Sequence, residues 1–160
     1  MGLGLILWSW IACTSPTEGN LTAHTNNEIH TETKEIVTNT KTGIASFYHD
    51  KFVGRPTATG DIFTNEGYTA ASNFFKLGTY VKVTNTVNGK FIYVKINDRM
   101  GHPTRVIDLT ERAAKDLDFI NRGVVKVKIE EVEKQNGRSK ILAQKENLEK
   151  QQSAENNNSF

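Results

Sequence analysis

The sequence predicts a mainly β fold: a small closed barrel of short strands with one or two short helices, set between flexible N- and C-terminal tails. Three observations predict it. Short runs between residues 43 and 132 alternate apolar and polar side chains at period two, the pattern of strands with one buried face. Turns bearing glycine and asparagine separate these runs. Helical spacing is clear in one interior run only, and many short strands with so little helix point to a small closed barrel.

Each element has its own justification. Gly43–Tyr48 is a short strand, and Tyr80–Asn85 alternates apolar with polar residues. Asn88 and Gly89 then predict a type I′ turn, because both tolerate the positive φ that its central positions require. Lys90–Asn97 resumes the alternation and completes a hairpin. Val106–Leu109 is a further short strand. Thr110 predicts a helix N-cap, with Glu111 in the first turn and Ala113, Ala114 and Leu117 at helical spacing. Gly123 closes that region, and Val124–Glu130 is the last strand.

Composition divides the 160 residues into four parts. Residues 1–13 are an apolar leader. Residues 14–42, rich in Thr, Asn and Glu, cannot bury enough apolar surface to fold and read as a flexible tether. Residues 43–132 carry the barrel. Residues 133–160 form a polar tail, disordered or partly helical, where Ile141, Leu142 and Leu148 are the only large apolar residues before the terminal Phe160 and nothing demands packing.

Cys13 is the only cysteine, which excludes a disulfide framework, a zinc finger and an iron–sulfur cluster. It directly follows the apolar leader and the small residue Ala12, the arrangement of a lipoprotein signal in which the thiol receives a diacylglycerol. Trp10 departs from the Leu-like residue usual there, and no basic residue precedes the leader. The rival reading is an apolar N-terminus with an incidental cysteine. A net charge of +2 gives no hint of a nucleic-acid partner. The four histidines, His24, His30, His49 and His102, are scattered, so no metal or cofactor is expected.

Several fragments occur in order and at close spacing: Gly43–Tyr48, Gly54–Gly60 (GRPTATG), Thr69–Ala71, Leu77–Thr79, Val81–Asn85, Asn88-Gly89, Ile96–Arg99 (INDR) and Ile107–Leu109. Together they resemble the rare lipoprotein A family of septal-ring lytic transglycosylases, over about residues 43–132. The resemblance implies a six-stranded double-psi β-barrel. It also implies endolytic cleavage of peptidoglycan glycan strands, with a preference for strands without stem peptides, to 1,6-anhydro-muramic products. One carboxyl serves such a reaction as acid and then base, unlike the carboxyl pair of most glycoside hydrolases. The family's lipidated N-terminus suits Cys13. The implied setting is the cell envelope of a bacterium, lipid-anchored and facing the periplasm or cell wall, with division-site proteins as further partners.

The family's catalytic Asp falls on Asp98, at a strand-to-loop junction where partial burial would favour a general acid; the alternative is an Asp that ties down its loop. Its neighbours Asn97 and Arg99 are candidate substrate contacts. Active members carry a His after the Thr-Ala-Ala segment, where this chain has Ser72, which cannot titrate near neutrality. That departure keeps open a second reading, a catalytically weak or inactive glycan-binding lipoprotein of the same fold. His102 lies in the loop after Asp98 and reads as a solvated side chain before a proton carrier. Asp108 is either a second carboxyl of the site or a cap for the helix near Thr110, the structural role being favoured. Tyr48 offers an aromatic face to a sugar or packs in the core. Arg55, Thr57 and Thr59 lie in a Gly- and Pro-bounded loop and are candidates to line a groove.

Overall fold

A computed structural model describes residues 39–157. The expected leader, lipidation at Cys13 and the tether up to residue 38 fall outside those residues. Six strands, β1 (Thr40–Phe47), β2 (Thr69–Ala71), β3 (Tyr80–Asn85), β4 (Phe91–Asp98), β5 (Arg105–Leu109) and β6 (Val125–Val132), close into a barrel in the order β1-β5-β2-β4-β3-β6. The pairs β1/β5 and β2/β4 are parallel, and the other pairings are antiparallel. Helix α1 (Glu111–Asp116) lies between β5 and β6, and α2 (Lys134–Asn157) follows the barrel.

The expected alternation sets the core. Val81 and Val83 of β3, Ile92, Val94 and Ile96 of β4, and Val127 and Ile129 of β6 all point inward, together with Leu109, Leu117 and Phe119. Burying each such aliphatic side chain stabilises the fold by roughly 1.5–3 kcal/mol, so a barrel of this size is held by packing alone. Thr110 caps α1 as expected, its hydroxyl accepting from the Ala113 N–H at 3.3 Å.

Three expectations need correction. First, β1 begins at Thr40, so residues 40–42 belong to the barrel and not to the tether: Thr40 pairs with Glu130 of β6, and the Asn39 carbonyl accepts from the Glu131 N–H. Second, the β3–β4 turn is not type I′. Gly89 has a positive φ of 76°, while Asn88 does not. Two side chains shape the loop instead: Asn85 Oδ1 accepts from the Val87 N–H at 2.9 Å, and Asn88 Oδ1 from the Lys90 N–H at 3.0 Å. Both asparagine amides also donate to the Leu117 carbonyl, anchoring the loop to the end of α1.

Third, the tail forms a 24-residue helix that packs on the barrel. Gly137 lies so close to Tyr80 that a Cβ there would sit 2.3 Å from the Tyr80 Cβ. Ile141 packs against the core. Gln144 brackets the Tyr93 backbone, its Oε1 accepting from the N–H at 2.6 Å and its Nε2 donating to the carbonyl at 2.9 Å. Strand β2 is only three residues long and pairs with β4 from Lys95 onward, so the β2-facing edge of β4 at Tyr93 has no strand beside it. The glutamine amide supplies the donor and acceptor that a strand would have supplied.

Two register shifts prepare the site. Ala70 pairs with Ile96 but Ala71 pairs with Asp98, so Asn97 is an extra residue. Ile44 pairs with Arg105 but Ala45 pairs with Ile107, so Val106 is another. Each β-bulge resets the alternation by one. The first turns Asp98 out of the core side held by Ile96. The second puts Val106 and Ile107 together in the core and leaves Arg105 and Asp108 on one outer face.

Candidate active site

Residues paired directly across strands point to the same face of a sheet. Ser46 pairs with Asp108, Asp108 with Ala71, and Ala71 with Asp98, so the four form one row across β1, β5, β2 and β4. The two carboxylates thus stand two strand spacings apart, about 10 Å at Cα, with only the Ala71 methyl between them.

Asp98 is partly exposed and receives three donors. The N–H groups of Ala58 and Arg99 reach Oδ1 at 2.9 and 2.8 Å, and the Tyr48 hydroxyl reaches Oδ2 at 2.9 Å. A carboxylate has about four lone-pair positions. Both on Oδ1 are occupied, and one on Oδ2 remains open. Tyr48 is held by Phe63, ring centroids 4.5 Å apart, and by Phe52 at 5.7 Å. Its burial, and then the Asp98 carboxylate beside it, push the hydroxyl far above its usual range, so it remains a proton donor. The sequence reading of Tyr48 as a sugar platform or core aromatic therefore meets a third arrangement, a donor to the carboxylate.

Asp108 is buried and does not cap α1. Arg105 grips it through Nε at 2.7 Å and Nη2 at 2.9 Å, and the Ser46 hydroxyl donates at 2.6 Å. The favoured capping role is corrected: Thr110 fills the cap, and Asp108 stands beside the site, buried and ion-paired with Arg105. Arg105 escaped the sequence reading, because in a regular strand residues three apart face opposite sides.

The loop residues divide. Thr57 is buried, and its hydroxyl lies 3.1 Å from that of Thr59, which donates to Asp61 at 2.9 Å. The Gly60 N–H closes this turn on the Thr57 carbonyl, with Gly60 at a φ of 86°. The turn aims the Ala58 N–H at Asp98, a backbone role that no side-chain motif announces. Arg55 is exposed, its guanidinium 5.4 Å from the Phe52 ring centre. Asn97 is buried, and its carbonyl accepts from the Thr59 N–H at 3.1 Å.

Ser72 is fully buried. Its hydroxyl donates to the Val106 carbonyl at 2.8 Å and accepts from the Phe74 N–H at 3.2 Å, which fits a structural tie and leaves no surface for substrate. The Arg99 guanidinium donates to the carbonyls of Ser72 and Phe75 and so secures the loop after β2. Asn73, also missed, bonds the Met100 backbone through both amide atoms. His102 Nδ1 accepts from the N–H groups of Thr104 and Arg105 at 3.3 Å, a role within its own loop. Among the described residues, no group of three His, Cys, Asp or Glu side chains could hold a metal ion.

The closed strand order with its two parallel pairs defines a double-psi β-barrel, and of the two carboxylates in its outer row Asp98 is half-buried while Asp108 is buried and ion-paired. Residues 40–129 match the family described as lytic transglycolase. The chain belongs to that family. It is similar to the endolytic peptidoglycan transglycosylase RlpA of Neisseria meningitidis serogroup A, 40% identical over 104 residues, 64% of this chain and 44% of the relative. The protein of the same name from Haemophilus influenzae is 44% identical over 56% of this chain and 32% of its own length. A probable RlpA from Nostoc is 54% identical over 55% and 24%. The chain thus spans less than half the length of these relatives. Among solved structures, the Streptomyces papain inhibitor superposes with a TM-score of 0.51 and 24% identity, covering 61% of this chain and 97% of that one. This likeness concerns the fold alone.

Proposed function

We propose that the barrel is an endolytic peptidoglycan transglycosylase in which Asp98 is the sole acid and base. In its acid form Asp98 gives a proton from Oδ2 to the glycosidic oxygen after N-acetylmuramic acid. The resulting carboxylate then takes the proton of the muramic 6-hydroxyl as that oxygen closes on C1. The glycosidic bond breaks, a 1,6-anhydro bond forms, and no water is consumed. The carrying observation is the unequal state of the two carboxylates. Each receives three donors, but Asp108 is buried and ion-paired with the Arg105 guanidinium, whereas Asp98 is half-buried and takes only uncharged donors. One working carboxyl suits a reaction in which the same group serves both steps.

The Ala58 and Arg99 N–H groups hold Oδ1 and so assign the mobile proton to Oδ2, and Tyr48 fixes the plane of the carboxyl. Strands without stem peptides are the preferred substrate. The domain works in the bacterial envelope, facing the periplasm or cell wall, tied to the membrane by a lipid on Cys13, with division-site proteins as further partners. The mass of Cys13-bearing protein purified from bacterial membranes checks the lipid: an unmodified thiol would refute it.

Glycan binding without cleavage is the second reading, favoured by Ser72, which occupies the family's His position and is closed off from the groove. Incubating the protein with denuded glycan strands and analysing the products by mass spectrometry decides between them. The first reading expects 1,6-anhydro ends that vanish in Asp98→Asn. Sedimentation with the strands and no such product supports the second.

A further inference from the structure

Beside the Asp98 row lies a pocket of about 350 Å³ at the seam between α2 and the barrel. Its floor is the neighbouring row of the same sheet face, in which Thr69 of β2 pairs with Lys95 of β4 and Lys95 with Tyr80 of β3. The bulge at Asn97 keeps Lys95 and Asp98 on one face, and the two rows are two β2 residues apart, about 7 Å. Helix α2 forms the other wall with Ile141, Arg138 and Lys145. Three cations line this pocket and no carboxylate does. Asp61 approaches Lys95 only to 4.0 Å from outside the lining, while Arg138 and Lys145 are exposed and make no ion pair among the described residues. Gly137 makes the wall possible, since a larger residue would lift α2 from Tyr80. Arg138 and Lys145 lie beyond residues 40–129, so the family match does not include them.

We propose that this pocket is an anion subsite that binds a carboxylate of the glycan strand, the free lactyl carboxylate of a muramic residue beside the one at Asp98. The inference rests on the peptidoglycan reading and names what that reading leaves open, the group by which the strand is recognised. Cations on an apolar, hydroxyl-bearing floor suit a carboxylated sugar better than a neutral one. A stem peptide would convert that carboxylate to an amide, so the pocket itself would select against substituted strands.

The test uses the full chain in an Asp98→Asn background, which prevents turnover, and compares it with the Arg138→Ala/Lys145→Ala double variant. Binding is measured by calorimetry to denuded strands, to strands bearing stem peptides and to neutral N-acetylglucosamine oligomers. Two exposed cations acting on one carboxylate should lower affinity for denuded strands roughly tenfold. Affinity for the neutral oligomers should be unchanged, and the loss should shrink at high salt. An unchanged affinity for denuded strands would overturn the subsite while leaving the peptidoglycan reading intact. An equal loss on peptide-bearing strands would move the recognised carboxylate to the peptide and overturn the lactyl assignment. No binding to any strand by the parent would remove the peptidoglycan reading and the subsite together.

Discussion

Replacing Arg105 by alanine tests the site's electrostatic design directly. The change strands the carboxylate of Asp108, whose side chain is only 12% exposed, and deletes two charge-assisted hydrogen bonds while leaving the one from Ser46. Breaking a fully buried pair costs about 3–5 kcal/mol. Arg105 itself is 27% exposed, and water reaching the vacated space lowers the expected loss to about 2–3 kcal/mol. A domain of this size loses roughly 3–6 °C of Tm per kcal/mol, so the midpoint should fall by about 6–18 °C. Urea denaturation followed by circular dichroism gives the free energy, with an unchanged m-value showing that the unfolded state is the same. In the Arg105→Ala/Asp108→Ala double variant the stranded charge is gone. Its loss should fall short of the summed single losses by about 1–2 kcal/mol. A single-variant loss below about 0.5 kcal/mol, or strict additivity, would refute the view that Arg105 neutralises Asp108.

Three further expectations follow from particular contacts. Gly137→Ala should destabilise the protein by about 1–3 kcal/mol, because the overpacking against Tyr80 outweighs the ~1 kcal/mol that alanine gains in a helix; chemical denaturation with hydrogen exchange over α2 measures it, and a more stable variant would refute the close approach. Burial, and then the Asp116 carboxylate that accepts its hydroxyl, push Tyr68 up to about 12. A raised folded-state value means that this contribution is complete below the ordinary tyrosine value near 10 and disappears as pH rises toward 12. Tyr68→Phe should therefore lose less stability than the parent over that window in alkaline denaturation, and parallel curves would count against it. Ala71 is fully buried between the two carboxylates, so Ala71→Val overpacks the row and should destabilise the protein by about 1–3 kcal/mol; urea denaturation measures it, and an unchanged midpoint would show that the row has room to spare.

Regular alternation is legible in the residues themselves: β3, β4, β6 and the Thr110 cap follow from the sequence because strand period and capping are local properties. The bulges are not, since an extra residue such as Asn97 or Val106 is defined only by the partner strand. Missing them hides the pairing of Arg105 with Asp108 and the outward turn of Asp98. Asp98 is singled out by the INDR segment and its likeness to a family, not by periodicity. The packing of helix α2 is hidden from the sequence for a similar reason. Its seating depends on a glycine facing Tyr80 and a glutamine facing Tyr93, residues that hydrophobic patterning counts as helix-weakening and solvated.

The Gln144 clasp bears on how this chain can be shortened. A protein cut after β6 would keep every strand of the barrel yet leave the Tyr93 amide and carbonyl without the side chain that engages them. Beside them stands Phe91, already 53% exposed. An uncovered strand edge with an aromatic next to it is a template for another copy of the chain. The last helix is thus a guard against self-association, and a barrel trimmed to its strands should trade solubility for the residues it sheds.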